Sequence, residues 1–247
     1  AKLGREALEI EWDEGALTSL DSAEQGKQYA ALADQPGAVA KKEGDVMAAK
    51  AKAVKTIEAV YELPYLAHAP MEPLNCVADV RADGCDVWVG TQFQTVEQGT
   101  AAYITGLKPE QVKIHTTLLG GGFGRRAVLD GHFVSEAVQV SKAMKAPVKV
   151  VWTREDDLKG GYYRPRALHK ISAGIDASGK PLFWKHNVVC QSFAVGTPLE
   201  AMMVQNGVDG TAVEGASDLS YYIPSLQVAW NMAPGGVPTL WWRSVGS

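Results

Sequence analysis

The sequence is poor in cysteine, with only Cys76, Cys85 and Cys190 among 247 residues, no CxxC pair and no Cys/His cluster. Zinc and iron–sulfur sites need closely spaced thiolate or imidazole ligands, so this spacing argues against either kind of site within the chain. An odd number of cysteines at irregular intervals also argues against a disulfide framework.

Long apolar runs and an excess of one charge are also missing. No run is long enough to span a bilayer, and the net charge of -4 gives no reason to expect nucleic acid or an anionic membrane as a partner. A composition of 46% hydrophobic and 21% charged residues is that of an ordinary globular domain. The chain begins at Ala1 without a signal peptide and ends inside a motif, so we expect it to be part of a longer polypeptide.

The most distinctive stretch is LLGGGFGRR at residues 118–126. Alternating apolar residues from Val112 predict a strand before it, and helical spacing over residues 127–144 predicts a helix directly after it. A glycine-rich turn between a strand and a helix lets backbone N–H groups and the positive helix end approach a ligand. We therefore interpret residues 120–124, the glycine loop, as a cradle for an anionic cofactor, with Arg125 and Arg126 suggesting phosphate.

Local patterns predict the remaining elements. They are a strand at 7–12, a helix from Asp21 or Ser22 to Leu32, a helix from 46 followed by a strand at 56–63, a hairpin at 75–90, a helix at 95–104, a strand at 148–152, a hairpin at 171–175 and 181–189, and strand at 221–224 and 226–230. Because helices and strands alternate irregularly and no repeat is present, an α+β fold is favoured over a doubly wound α/β fold.

Five segments resemble, in order, the large molybdenum-binding subunit of the xanthine dehydrogenase/aldehyde oxidase family. They are HAPMEPLN at 68–75, WVGTQ at 88–92, GGGFGRR at 120–126, WTREDD at 152–157 and WWRSVG at 241–246. The chain looks most similar to the branch of isoquinoline 1-oxidoreductase beta subunits and membrane-linked aldehyde dehydrogenases. The resemblance implies that residues 1–20 end a small N-terminal domain. Residues 21–247 would then be the N-terminal part of a molybdopterin-binding domain, truncated at its C-terminus.

The same resemblance implies which residues face the cofactor. Gln92 matches the glutamine whose side-chain amide hydrogen-bonds a ligand of molybdenum, and no residue of this chain is expected to bind the metal directly. The other implied cofactor-binding residues belong to the glycine loop and to a second loop near the C-terminus: Gly121, Gly122, Phe123, Gly124, Trp242 and Arg243.

The implied cofactor is molybdenum with molybdopterin cytosine dinucleotide. The implied reaction is hydroxylation of an aldehyde or an N-heterocycle with water as oxygen donor, and Ala127 stands where purine-oxidising members have an acidic residue. Electrons are expected to pass to a separate iron–sulfur small subunit and then to a cytochrome or quinone-linked acceptor. The general base is expected in the missing C-terminal part, so this chain alone should be inactive. The implied location is periplasmic or membrane-associated, with the cytoplasm as the alternative.

Two other functions remain open from the residues alone. Gly122, Gly124 and Ala127 fit a G-x-G-x-x-A fingerprint, and Glu155 follows the next predicted strand, as in an NAD(P)-binding oxidoreductase. A non-catalytic scaffold that binds partner subunits is the third possibility.

Several polar residues have both a functional and a structural interpretation. His68 with Glu72 could bind a metal, but two ligands among prolines are few, and we take both as structural. Residues 155–157 could form a Mg²⁺ site or a solvated helix cap, and residues 162–164 could line a substrate funnel or cover the surface.

Overall fold

A computed structural model of the chain describes residues 1–13 and 15–242. The described residues form seven α-helices: α1 Lys2–Glu6, α2 Ser22–Ala33, α3 Val46–Lys52, α4 Gln94–Thr105, α5 His132–Met144, α6 Arg154–Lys159 and α7 Glu200–Met203. Their strands are β1 Ala38–Glu43, β2 Lys55–Leu63, β3 Leu66–Ala67, β4 Asn75–Val80, β5 Cys85–Val89, β6 Val112–Thr116, β7 Val148–Val151, β8 Tyr163–Arg164, β9 Ala167–Ile175, β10 Pro181–Cys190, β11 Val204–Gln205, β12 Val208–Asp209 and β13 Ser225–Met232.

Two sheets organise the fold. The larger has five strands in the order β1-β13-β10-β9-β2, antiparallel except for the parallel pair β10 and β13. The smaller has four strands in the order β6-β5-β4-β7, with β5 and β6 parallel and the other pairs antiparallel. This mixture confirms the predicted α+β class, because a doubly wound fold needs a mostly parallel sheet.

The main hydrophobic core lies between the smaller sheet and helices α4 and α5. Helix α5 buries Phe133, Val134, Ala137 and Val138 on one stripe, as the helical spacing of its sequence predicts. Burying one such Val or Phe side chain stabilises the fold by about 1.5–3 kcal/mol. The core therefore fixes the smaller sheet, whose edge carries the site.

Most of the predicted elements are confirmed. Helix α2 begins after Asp21, whose carboxylate accepts hydrogen bonds from the N–H groups of Ala23 and Glu24. Helix α4 ends at Gly106 in the left-handed conformation. Both hairpins form, as β4 with β5 and β9 with β10.

Three local predictions are wrong, each because a strand or helix depends on partners that a local pattern does not contain. Residues 7–12 alternate in hydropathy but pair with no other strand of the described chain, and Leu8, Ile10 and Trp12 are exposed. Residues 221–224 precede β13 without joining a sheet. The helix expected directly after the glycine loop begins only at His132, after a series of turns.

No helix in the described residues is long and apolar enough to cross a membrane. The cellular location stays a prediction.

Candidate functional site

The site lies at one edge of the four-stranded sheet, where the chain topology brings distant segments together. Strands β5 and β6 are parallel neighbours, so the residues that follow them emerge at the same edge. Gln92 follows β5, and the glycine loop follows β6. The N–H of Thr117 donates to the carbonyl of Val89 and extends this pairing past the strand ends.

Gln92 is fixed in orientation by the loop beside it. Its side-chain oxygen accepts hydrogen bonds of 3.3 Å from the N–H groups of Gly124 and Arg126, and its own N–H donates to the carbonyl of Arg126 at 3.0 Å. Two donors on one atom identify that atom as the oxygen, so the NH₂ end is the free end. Within the described residues this NH₂ group donates to no acceptor. It is therefore available to a ligand.

The glycine loop presents further free donors. In the part of the chain that the structure describes, the N–H groups of Gly121, Gly122 and Phe123 donate to no acceptor. Gly122 is buried, and buried backbone donors are rarely left without a partner in native proteins. These residues line a cavity of about 570 Å³, together with Gln92, Leu119, Gly124, Ala127, Trp241 and Trp242.

The glycines allow the close approach of backbone to neighbouring groups. A Cβ atom on Gly122 would lie 2.4 Å from the side-chain oxygen of Gln92, and one on Gly124 would lie 2.4 Å from the carbonyl oxygen of Trp241. Gly124 also has φ of +105°, a conformation that L-residues rarely adopt. Phe123, with φ of +56°, is the one residue with a side chain in this turn, and its ring is 45% exposed.

His68 contacts Trp241 and Trp242, two residues that line the cavity. Its Nε2 lies 2.9 Å from the carbonyl oxygen of Trp241, and its ring stacks on Trp242 at a centroid distance of 4.3 Å. A carbonyl only accepts, so Nε2 carries the proton. Burial lowers the pKa of His68 to about 4, which keeps the ring neutral near neutral pH. His68 is thus structural, as predicted, and it positions Trp241 and Trp242.

The two arginines after the loop do not face the cavity, which corrects their interpretation as phosphate ligands. Both are fully buried and engaged with protein groups. Arg125 lies over the rings of Trp152 and Tyr162 and hydrogen-bonds His132 at 2.9 Å, whereas Arg126 binds backbone carbonyls around the loop. Among the residues that the structure describes, those lining the cavity therefore offer neutral donors rather than cations.

Residues 32–232 match the family described as the molybdopterin cofactor-binding domain. The chain belongs to this molybdopterin cofactor-binding family. The cavity suits such a group, because within the described residues an amide NH₂ and three backbone N–H groups have no acceptor and could donate to its oxygen and sulfur ligands without adding charge.

Known members of the family are similar over most of the chain. The isoquinoline 1-oxidoreductase subunit beta of Brevundimonas diminuta is 39% identical over 142 residues, which are 57% of this chain and 18% of the relative. The aldehyde oxidoreductase molybdenum-binding subunit PaoC of Escherichia coli O157:H7 is 29% identical over 179 residues, which are 69% of this chain and 24% of the relative.

Among solved structures, quinoline 2-oxidoreductase from Pseudomonas putida 86 superposes with a TM-score of 0.66 at 16% identity, over 86% of this chain and 27% of that one. This likeness shows the fold. The chain thus spans about a quarter or less of the length of each of these relatives.

The described residues lack the helix that the dinucleotide-binding alternative requires directly after the glycine loop. A Rossmann fingerprint needs a helix whose N-terminus meets the pyrophosphate directly after the glycines. Here the loop is followed by turns, and α5 begins at His132, far from Gly124 along the chain. Strand β6 also lies at the edge of a mainly antiparallel sheet rather than inside a series of βαβ units.

The structure brings together six of the seven residues predicted to face the cofactor: Gln92, Gly121, Gly122, Phe123, Gly124 and Trp242 all line the one cavity. Arg243 lies outside the described residues. The roles of these residues toward a bound cofactor stay predictions.

Other candidate groups are used elsewhere. Asp156 caps α6 and pairs with Arg5, while Asp157 is buried beside Arg154, so residues 155–157 are not simply a solvated cap. Tyr162 donates to Asp130, and residues 162–164 do not line the cavity beside Gln92. What the sequence did not indicate is the role of Arg126, whose partner Glu72 is distant in the chain.

Proposed function

We propose that the protein containing this chain is a molybdenum hydroxylase that oxidises an aldehyde or an N-heterocycle with water as oxygen donor. The observation that carries this proposal is a set of donors around one cavity that meet no acceptor in the described part of the chain: the NH₂ of Gln92 and the N–H groups of Gly121, Gly122 and Phe123. Their neutrality suits a cofactor whose ligands carry partial charge that changes during turnover.

Each element of the cavity has a proposed task. Gln92 donates from its NH₂ group, and the glycine loop adds backbone donors that are held in place before any ligand arrives. Phe123 and Trp242 supply apolar surface beside these donors. When bound, the molybdopterin cofactor supplies a metal centre that accepts the two electrons released when a substrate C–H becomes C–OH.

Three finer features are also proposed. The cofactor is the cytosine dinucleotide form, which is what the resemblance to the isoquinoline 1-oxidoreductase branch implies. Electrons pass to an iron–sulfur subunit and then to a cytochrome or quinone-linked acceptor. The names of both curated relatives describe a single subunit, which supports an assembly of several chains. The division into an N-terminal part at 1–20 and a cofactor-binding part at 21–247 belongs to the same proposal.

The test is metal and cofactor analysis of the protein purified with its native partners from cells that make molybdenum cofactor. The expected result is molybdenum and a releasable pterin in about equal amounts with the chain, and oxidation of an aldehyde or N-heterocycle with an artificial electron acceptor. NAD(P) without molybdenum would support a dinucleotide-dependent enzyme instead. If the purified protein contains neither molybdenum cofactor nor NAD(P), the result would support a non-catalytic scaffold.

A further inference from the structure

Arg125 and Arg126 are neighbours with the same burial and different surroundings. Their exposed fractions are 1% and 0%. Arg125 packs between aromatic rings and hydrogen-bonds His132. The side chain of Arg126 instead makes four hydrogen bonds, with the glycine loop, with Gly90 after strand β5 and with Glu72 before strand β4. A fully buried arginine with four hydrogen bonds holds the segments that carry its partners in fixed positions relative to one another.

The partners of Arg126 come from three separate segments of the chain. Its Nε donates to the carbonyl of Gly121 at 3.0 Å, and one terminal nitrogen donates to the carbonyl of Gly90 at 3.0 Å. The other terminal nitrogen donates to Glu72 twice, to its carbonyl at 3.0 Å and to its carboxylate at 2.8 Å. A planar guanidinium with donors in fixed directions can hold three such segments at once, and a lysine ammonium on a flexible stem cannot hold them in this geometry.

Glu72 fastens the start of the same loop. Its carboxylate accepts from the N–H of Gly120 at 2.9 Å and from the side-chain amide of Asn75 at 3.0 Å, and its own N–H donates to the carbonyl of Gly120 at 3.1 Å. Burial alone would raise the pKa of Glu72, but these donors and the charge of Arg126 hold it below its ordinary value. The buried charge of Arg126 is therefore neutralised by the carboxylate of Glu72, which lies 2.8 Å away.

The backbone of Arg126 completes the connection. Its N–H donates to the side-chain oxygen of Gln92, and its carbonyl accepts from the N–H of Gln92. A single residue thus contacts Gln92 through its backbone and the carbonyl of Gly121 through its side chain. A displacement of the Arg126 backbone would therefore break one of the two hydrogen bonds that orient the Gln92 amide, and leave only the one from Gly124.

We infer that Arg126 and Glu72 form a positioning pair, which sets the spacing between the Gln92 amide and the backbone donors of the glycine loop. Arg126 acts through the groups it holds and does not touch the ligand. This inference rests on the proposed function for its consequence in cofactor binding, whereas the loop geometry itself is independent of that function.

The chain offers a matched control, because Arg125→Lys and Arg126→Lys alter equally buried neighbours. We expect Arg126→Lys to raise the hydrogen–deuterium exchange rate of the Gly120 and Gly124 amides, the two loop N–H groups with a protein acceptor, at least tenfold in the native assembly. Arg125→Lys should leave that rate within about twofold and loosen the segment around Tyr162 instead. Glu72→Gln, which keeps the shape of the side chain, should change exchange in the loop in the same direction as Arg126→Lys, and it provides the test if the lysine variant does not fold.

A second measurement separates positioning from a general loss of stability. Turnover per bound molybdenum atom should fall at least tenfold in Arg126→Lys and stay near wild type in Arg125→Lys, even if both variants have the same melting temperature. Equal effects of the two lysine variants on loop exchange and on turnover per metal would overturn the inference. Wild-type protein without molybdenum would overturn the proposed function alone, because loop exchange would still report on the pair.

Discussion

The substitution Gly122→Ala tests the site with one methyl group. Its Cβ would lie 2.4 Å from the side-chain oxygen of Gln92 and 2.9 Å from the carbon that bears it, both closer than van der Waals contact. The Gln92 amide must therefore turn away, and it loses its hydrogen bonds from Gly124 and Arg126. Two such bonds contribute about 1–3 kcal/mol, and the loss should lie at the low end here because the exposed amide regains water as a partner.

The effect on the cofactor should be larger than the effect on the fold. A hydrogen bond to a charged or polarised group contributes about 1.5–3 kcal/mol, so loss of the Gln92 donor should weaken cofactor retention about ten- to a hundredfold. The assay is the molar ratio of molybdenum to chain in purified protein, beside the free energy of unfolding from a denaturant titration. Gly99→Ala is the control: no atom lies within 4 Å of its Cβ and it lies inside helix α4, so it should stabilise by up to about 1 kcal/mol and leave the ratio unchanged.

A double substitution tests whether Gly122→Ala lowers the molybdenum content by displacing the Gln92 amide. Gln92→Ala removes the amide without a clash and should lower the molybdenum ratio as much as Gly122→Ala. Adding Gly122→Ala to Gln92→Ala should then change the ratio by less than about twofold, since the two substitutions share one target. Independent, multiplying losses would refute this reasoning, as would full molybdenum content in Gly122→Ala.

Two further predictions concern strain and pH. Gly106→Ala places a side chain at φ of +79° with no atom within 4 Å, and it should cost about 1–2 kcal/mol. Gly124→Ala adds a 2.4 Å contact with the carbonyl of Trp241 and should cost at least about 1 kcal/mol more in the same denaturant titration; equal costs would show that the backbone around Trp241 yields freely. Burial raises the pKa of Glu97 from 4.5 to about 7, so the folded state binds this proton more tightly and stability falls as pH rises through that window, by up to about 3 kcal/mol. Glu97→Gln should remove this dependence and be the more stable form above pH 7, and pH–stability curves that coincide for the two proteins would contradict the assignment.

Local pattern predicted the elements that depend mostly on their own residues. The stripe of Phe133 and Val134 in helix α5 carries its own period, and the turn at Asp83 defines a hairpin, so both were predictable. The strand predicted at 7–12 shows the limit of this approach. Alternation describes one face of a strand, but a strand also needs a neighbour, and the sequence does not contain that information.

The site was predictable in its parts and not in its assembly. Residues 88–92 and the glycine loop each carry a motif, and the parallel pairing of β5 and β6 explains why they meet. The binding partner of Arg126 was not predictable, because the sequence does not show whether an arginine after a glycine loop binds an anionic ligand or a carboxylate from a distant part of the chain. Its pairing with Glu72 depends on where the start of β4 lies in the folded sheet.

The cavity between Gln92, the glycine loop and Trp242 should hold the molybdopterin cofactor. The most direct measurement is a crystal structure of the cofactor-loaded protein with anomalous diffraction recorded at the molybdenum edge. The predicted result is a single molybdenum peak inside this cavity, with the Gln92 NH₂ within hydrogen-bonding distance of one of the metal's ligands. A molybdenum peak elsewhere in the loaded protein, with ordered water alone in the cavity, would show that Gln92 and the glycine loop do not hold the cofactor.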